Sequence, residues 1–266
     1  AFFDGGSDGY SLGNDGENVV NVPGLLGSMR RRVRLPGVGP RGLAVSGSQV
    51  YVAEYFSDSI AAVSLVDRGD LPVRSLPLGP RPQWDAVRRG EVLFHDGRLC
   101  LECWQSCASC HPDGRADALN WDLLNDGEGN PKNTLSLLWS HRTPPAMASR
   151  VRPTAESAVR SGIQHILMAE RTEADAVAID AWLKSLAPVP SPALVQGRLS
   201  PAAERGRQLF HSDRAACAQC HPAPRYTDRK AHDVGSRGES DERSAFDTPT
   251  LVEVWRTAPY LHDGRY

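Results

Sequence analysis

Cys107-Ala108-Ser109-Cys110-His111 and Cys217-Ala218-Gln219-Cys220-His221 are two copies of the motif CxxCH in a chain of 266 residues. In this motif the two thiols add to the vinyl groups of a haem and the histidine that follows binds its iron. We therefore expect two covalently bound haem c groups. The four cysteines would attach them, with His111 as proximal ligand of the first (haem 1) and His221 as proximal ligand of the second (haem 2).

Two other readings of a CxxC pair are a zinc site and a redox dithiol. A zinc site needs four ligands at suitable spacing, and a dithiol does not need the histidine. The two further cysteines, Cys100 and Cys103, precede the first motif. They either form a short disulfide in an oxidising compartment or stay as thiols packed near haem 1.

Composition places the chain among globular proteins. Hydrophobic residues make up 40% of it and charged residues 23%, and the formal net charge is -2. That charge balance argues against a general nucleic-acid binder, and no apolar run is long enough to span a membrane. Because cytochrome c maturation takes place outside the cytoplasm, we expect a periplasmic or otherwise extracytoplasmic protein.

An internal repeat surrounds the two motifs. Arg89-Gly90 through Phe94-His95 precedes the first motif, and Arg205-Gly206 through Phe210-His211 precedes the second. A stiff proline-rich linker, Pro188–Pro192, separates the copies. The sequence thus predicts a mainly α fold with two tandem cytochrome c domains, residues 81–190 (the first module) and 191–266 (the second module).

Residues 1–80 have a different pattern. Leu43–Tyr55 predicts two strands joined by a glycine-containing turn, and Ser59–Leu65 predicts a third strand. This segment resembles one blade of a YVTN-type β-propeller. Since one blade cannot close a propeller, we expect further sequence or a partner chain to complete it.

The sixth ligand of each iron separates an electron carrier from a site that reacts with peroxide. Met147 lies in a stiff loop, Arg142-Thr143-Pro144-Pro145-Ala146, that can pass over a haem face. His141 and His165 are the other candidates for the face of haem 1. The residues leave open whether each of the three is a ligand or a packing group.

Several strings together resemble the bacterial dihaem cytochrome c peroxidase and MauG superfamily. They are Arg198–Phe210, the second CxxCH, Asp247–Leu251 and Thr257-Ala258-Pro259-Tyr260-Leu261-His262-Asp263-Gly264-Arg265. The resemblance covers residues 85–266. The stretch from Trp104 through Pro145 resembles the subset of that superfamily fused to a YVTN-type propeller.

The resemblance implies that haem 1 is the peroxidatic site and that haem 2 receives electrons from a small cytochrome or cupredoxin. It also implies a calcium ion between the domains, held by Asn133, Thr257 and Pro259. Oxygen ligands of this kind suit calcium. His262 matches the family histidine near haem 2.

Two departures from the family pattern bear on function. No histidine lies between His111 and His141, so the displaceable ligand of haem 1 is missing and its iron is open, as in MauG, or capped by another group. The usual haem 2 ligand falls past Tyr266, so we expect the second module to be truncated. The resemblance favours a peroxidase-like enzyme. An electron-transfer subunit with two six-coordinate haems and MauG-like oxidation of a partner protein are the alternatives.

Overall fold

The computed structural model describes residues 31–66, 71–123 and 129–266. The chain divides after Arg81 into two compact units, which are described separately. Residues 1–30, the first part of the predicted β segment, lie outside the described residues.

The first unit contains a four-stranded antiparallel sheet in which neighbours in sequence are neighbours in space. Its strands are β1 (Pro40–Ser46), β2 (Gln49–Glu54), β3 (Ser59–Ser64) and β4 (Val73–Pro77). The side chain of Glu54 is fully buried at the end of β2 and accepts hydrogen bonds from the Gly37 amide and from the Ser59 and Ser75 hydroxyls. These contacts join three strands through one carboxylate.

Strand β4 was not predicted, and it extends the expected strand-turn-strand pattern to the size of a propeller blade. A single sheet of this kind is present among the described residues. The fusion to a β-propeller therefore stays a prediction.

The second unit contains six helices and two small hairpins within its described residues. The helices are α1 (Ala86–His95), α2 (Cys107–Cys110), α3 (Ala155–Ser161), α4 (Glu173–Ser185), α5 (Pro201–Phe210) and α6 (Cys217–Cys220). The hairpins pair β5 (Asn120–Trp121) with β6 (Lys132–Asn133) and β7 (Ala231–His232) with β8 (Phe246–Asp247). Short 3-10 turns connect many of these elements.

The predicted mainly α fold class is wrong. Helices account for 30% of the residues and strands for 16%, and a four-stranded sheet precedes the helices. The physical reason lies in the loops around the CxxCH motifs, where backbone groups are paired through turns and short hairpins and not through long helices. Helix α3 ends at Ser161, and a π-helical turn, Gly162–Ile166, follows it.

The core of the second unit lies between α1 and α4. Phe94 and Ile179 are almost fully buried there, and the Phe94 ring lies 4.4 Å from the Trp182 ring. The helices cross so closely that a Cβ on Gly90 would lie 1.8 Å from the carbonyl oxygen of Ala178. Glycine at this position is thus required by backbone contact.

Helix α5 is the counterpart of α1, yet its surroundings differ. None of its residues is buried, and a Cβ on Gly206 would meet nothing within 4 Å. The same Arg-Gly pattern in sequence therefore has a packing role in the first module and none among the described residues of the second.

Within the parts of the chain that the structure describes, no helix has the length and apolar character needed to cross a membrane.

Candidate functional site

The two CxxCH motifs fold in the same way. In each, the cysteines lie on one short helix, and the backbone amide of the histidine donates to the carbonyl of the first cysteine, at 3.0 Å for His111 and 2.9 Å for His221. His111 Nδ1 lies 3.0 Å from the Arg115 carbonyl oxygen and His221 Nδ1 lies 2.9 Å from the Tyr226 carbonyl oxygen. A carbonyl accepts only, so Nδ1 carries the proton in both rings and Nε2 keeps a free lone pair for a metal.

Burial tunes the groups of the first motif. It lowers the pKa of His111, although the hydrogen bond to the Arg115 carbonyl opposes that shift, so the imidazole is held neutral as a metal ligand requires. Burial also raises the pKa of the Cys107 thiol to about 12.

His141 belongs to a buried hydrogen-bond network. Its Nε2 lies 2.9 Å from Asp180 Oδ1, its Nδ1 lies 3.3 Å from the Ser140 hydroxyl, and Arg160 donates to the other oxygen of Asp180 at 2.6 Å. Burial would raise the pKa of Asp180, but its hydrogen bonds to His141 and Arg160 bring that pKa below its usual value. With both ring nitrogens engaged, His141 connects the 3-10 turn Ser140–Arg142 to α3 and α4.

The other two candidates for the face of haem 1, His165 and Met147, lie on different segments of the second unit. His165 is exposed on the π-helical turn. Met147 is half-buried with φ of 74° and ends the proline loop Arg142–Met147.

His262 is buried in the second module. Its Nε2 lies 2.7 Å from Asp241 Oδ2, and its ring stacks on Phe246 with the centroids 3.6 Å apart. The opposite nitrogen, Nδ1, is buried and has no hydrogen-bond partner among the described residues. Burial would raise the pKa of Asp241, but hydrogen bonds from Gly238, His262 and Lys132 bring it well below its usual value.

Two of the three predicted calcium ligands come together. Asn133 is buried, its Nδ2 lies 2.5 Å from the Pro259 carbonyl oxygen, and its Oδ1 has no partner among the described residues. Thr257 belongs to the same loop as Pro259 but uses its hydroxyl on the Val254 carbonyl. An orphaned amide oxygen beside a backbone carbonyl fits a hard cation with oxygen ligands.

A second cluster of metal-ligating groups surrounds the second motif. Cys220, Asp228 and His232 bring ligand atoms within 4.8 Å of one another, and His232 Nε2 lies 2.7 Å from Asp228 Oδ2. All three residues are half-buried. This is the one such group among the described residues, and the thioether role of Cys220 would remove its thiol from the cluster.

Sequence reasoning missed a second repeat. Trp139 and Glu253 both adopt φ of 61°, each begins a 3-10 turn, and each turn leads into a loop with a cis proline. The signal was present in the sequence, because Arg142-Thr143-Pro144-Pro145 parallels Arg256-Thr257-Ala258-Pro259. This correspondence pairs Met147 with Leu261.

Each of the two modules donates a backbone hydrogen bond to the other. The amide of Asn133 in β6 donates to the carbonyl of His262 at 2.8 Å, and the amide of Asp247 in β8 donates to the carbonyl of Ala148 at 2.9 Å. Each module's hairpin thus pairs with the other module's proline loop. The fold and the site define a protein with two interlocked modules, each built around a CxxCH motif of the kind that attaches haem c.

Three proteins of known name are similar to this chain in sequence. The chain is 26% identical to hydrazine synthase subunit gamma of Kuenenia stuttgartiensis, over 68% of this chain and 66% of that subunit. It is 25% identical to the methylamine utilization protein MauG of Methylorubrum extorquens, over 83% of this chain and 76% of that protein. It is 26% identical to MauG of Methylophilus methylotrophus, over 66% of this chain and 67% of that protein. These proteins are homologues of the chain, and the matches span about two thirds to three quarters of their lengths. No protein-family profile matches the chain.

Solved structures share its fold. A structure of Kuenenia stuttgartiensis hydrazine synthase superposes with a TM-score of 0.62 at 23% identity, over 76% of this chain and 86% of that chain. A MauG-like protein associated with microbial copper homeostasis superposes with a TM-score of 0.56 at 22% identity, over 71% and 73% of the two chains.

Proposed function

We propose that this chain is an extracytoplasmic dihaem c-type cytochrome that reduces hydrogen peroxide at haem 1 with electrons delivered through haem 2. The observation that carries the proposal is the duplicated proximal geometry, in which His111 and His221 each donate through Nδ1 to a backbone carbonyl and keep Nε2 free. When bound, haem supplies the redox chemistry. The chain holds each imidazole in one tautomer and one orientation.

Few histidines could supply a second ligand to a haem held at His111. No histidine lies between His111 and His141 in the sequence, and the hydrogen bonds to Asp180 and Ser140 occupy both nitrogens of His141. This supports a sixth position at haem 1 that is free of histidine. Hydrogen peroxide takes up two electrons and two protons to give two waters, and a one-electron donor such as a small cytochrome or cupredoxin would supply the electrons in succession.

We also propose that calcium binds between the modules at Asn133 Oδ1 and the Pro259 carbonyl. The buried, unpartnered amide oxygen supports this assignment. Thr257 would contribute through its backbone from the same loop. The reciprocal hairpins bring these groups together from opposite modules.

The test begins with the mature protein and two matched variants, His111→Gly and His221→Gly. Haem content per chain, spin state by electron paramagnetic resonance, and oxidation of a reduced small cytochrome by peroxide are measured on all three. We expect two haems, a high-spin ferric signal that His111→Gly removes, and loss of turnover in both variants. Two low-spin haems that are inert to peroxide would exclude the peroxidase function.

MauG-like oxidation of a partner protein is a second candidate, and the similarity to two MauG proteins favours it. Its distinguishing result is peroxide-dependent modification of a partner's side chains, detected by mass spectrometry. Turnover of a reduced cytochrome without any such modification would favour the peroxidase.

An electron-transfer subunit of a larger complex is the third candidate. The similarity to a protein named as the gamma subunit of hydrazine synthase supports it. Two low-spin haems that exchange electrons with a co-purifying chain would be the result expected from this function.

A further inference from the structure

A buried ion pair connects the two modules behind the first CxxCH motif. Arg115 Nε lies 2.9 Å from Glu253 Oε2 and Arg115 Nη2 lies 3.1 Å from Glu253 Oε1, so the contact is bidentate. Only 8% of the Arg115 side chain and 1% of the Glu253 side chain are exposed. The two residues are 138 positions apart in sequence, Arg115 in the first module and Glu253 in the second.

Both ends of the pair are held by backbone groups. Arg115 also donates to the carbonyls of Asp113 and Ala187, at 3.1 and 3.0 Å. Glu253 accepts from the Val189 amide at 2.7 Å, and a second cation, Arg256, lies 3.6 Å from its other oxygen. The bidentate contact and these backbone hydrogen bonds hold both side chains in one arrangement.

The ion pair is close in sequence to the groups that accept from the two proximal histidines. The carbonyl of Arg115 accepts the Nδ1 proton of His111. The carbonyl of Tyr226 accepts the Nδ1 proton of His221 and also an amide hydrogen bond from Leu251, at 3.3 Å. Glu253 follows Leu251 by two residues, so one short path joins the two imidazoles.

Resting on the proposed haem sites, we infer that Arg115 and Glu253 are positioning residues through which the second module sets the reduction potential of haem 1. The side chain of Arg115 fixes the position of its own carbonyl. That carbonyl fixes the orientation and basicity of His111, because a firm Nδ1 hydrogen bond makes the imidazole a stronger donor and favours ferric iron. The negative charge of Glu253 acts in the same direction.

Two conservative variants test this inference. Arg115→Lys keeps the charge but loses the bidentate fork, and Glu253→Gln keeps the shape but loses the charge. We expect each to raise the midpoint potential of haem 1, with a change of about tenfold in its ferrous-to-ferric ratio at fixed potential, which is about 59 mV for one electron. The double variant should shift the midpoint potential of haem 1 by little more than either single variant, because both substitutions break the same ion pair.

The matched control is Arg150→Lys. Arg150 also joins the modules, through Asp247 at 3.0 Å and the Arg229 carbonyl at 2.8 Å, but it does not contact the carbonyl behind either proximal histidine. The Arg150→Lys variant should therefore leave the midpoint potential of haem 1 unchanged. Potentials of both haems are measured by spectroelectrochemistry, and thermal stability is measured beside them.

The outcomes separate this inference from the proposed function. Absence of haem at His111 in the unaltered protein would overturn the proposed function itself. With both haems present, a lower melting temperature and an unmoved haem 1 potential in both variants would overturn the positioning role alone. If Arg115→Lys does not fold, the isosteric Glu253→Gln decides by the same readout.

Discussion

At the scale of single residues, burial and hydrogen bonds together set the protonation of side chains in the second unit. His111 is held neutral by burial, and Asp241 is held ionised by hydrogen bonds from three groups. Asp247 is the exception among the carboxylates. Burial raises its pKa to about 7, which outweighs the Arg150 guanidinium, and the neighbouring charge of Asp228 adds to the rise.

This raised pKa predicts a stability effect with a defined sign. The folded-state pKa of Asp247 lies above its ordinary value, so its contribution to stability is complete below about pH 4 and is lost as pH rises through about 7. We expect Asp247→Asn to increase the free energy of unfolding by about 1 kcal/mol above pH 7 and to have no such effect at pH 4. Denaturant titrations at the two pH values measure it.

Asp228→Asn is the opposite control. Burial would raise the pKa of Asp228, but hydrogen bonds, above all to His232, lower it to about 2, so its contribution is present at neutral pH and lost as pH falls. We expect this variant to destabilise the protein at pH 7. A stabilisation by Asp247→Asn that is equal at pH 4 and pH 8 would contradict the assigned ionisation.

At the scale of helices and hairpins, matching sequence patterns have unequal surroundings. Gly90 on α1 touches the backbone of α4, whereas Gly206 on α5 faces open space. The hairpins show the opposite behaviour, because β6 and β8 make equivalent hydrogen bonds to the opposite module. The local sequence pattern therefore determines which helices and strands form. The neighbours that each helix packs against determine whether a glycine on it can be replaced.

The two glycines form a matched pair for mutation. Gly90→Ala would place a Cβ against the Ala178 carbonyl and should destabilise the second unit by about 1 to 3 kcal/mol. Gly206→Ala should be neutral or stabilising by up to about 1 kcal/mol, because alanine favours the helix. Thermal and denaturant unfolding measure both. Equal destabilisation by the two substitutions would show that Gly206 also has a close neighbour.

At the scale of the whole molecule, the modules are joined by reciprocal hairpin contacts and by the Arg115–Glu253 pair. The proposed calcium site lies at one of these contacts, on Asn133 and the loop of Pro259. A cation there would contribute to the stability of both modules at once, because its ligands come from both.

Calcium binding is expected to be visible in the melting temperature. At a calcium concentration about 100 times the dissociation constant, binding to the folded state alone stabilises by about 2.7 kcal/mol. Chelation should therefore lower the melting temperature of the unaltered protein, and Asn133→Ala should remove the response. Asn120→Ala is the control, since Asn120 is the pairing partner of Asn133 in the hairpin but is exposed and bonded to Asp263. A chelation response that survives Asn133→Ala would place the ion elsewhere.

The sequence by itself determined the local features of this protein. The CxxCH motifs and the first three strands of the sheet depend on residues close together in the chain, so pattern was sufficient for them. The mainly α assignment failed because loops around the motifs leave no periodic signal.

Only the tertiary structure decided which groups join the two modules. The contact of His141 Nε2 with Asp180 and the contact of Arg115 with Glu253 both join residues far apart in the chain. Such partners are chosen by how distant segments pack and exclude water, which single-sequence periodicity does not encode. Charge and hydrogen-bonding capacity are read from a residue's identity, whereas the groups that satisfy them once buried are determined by the fold.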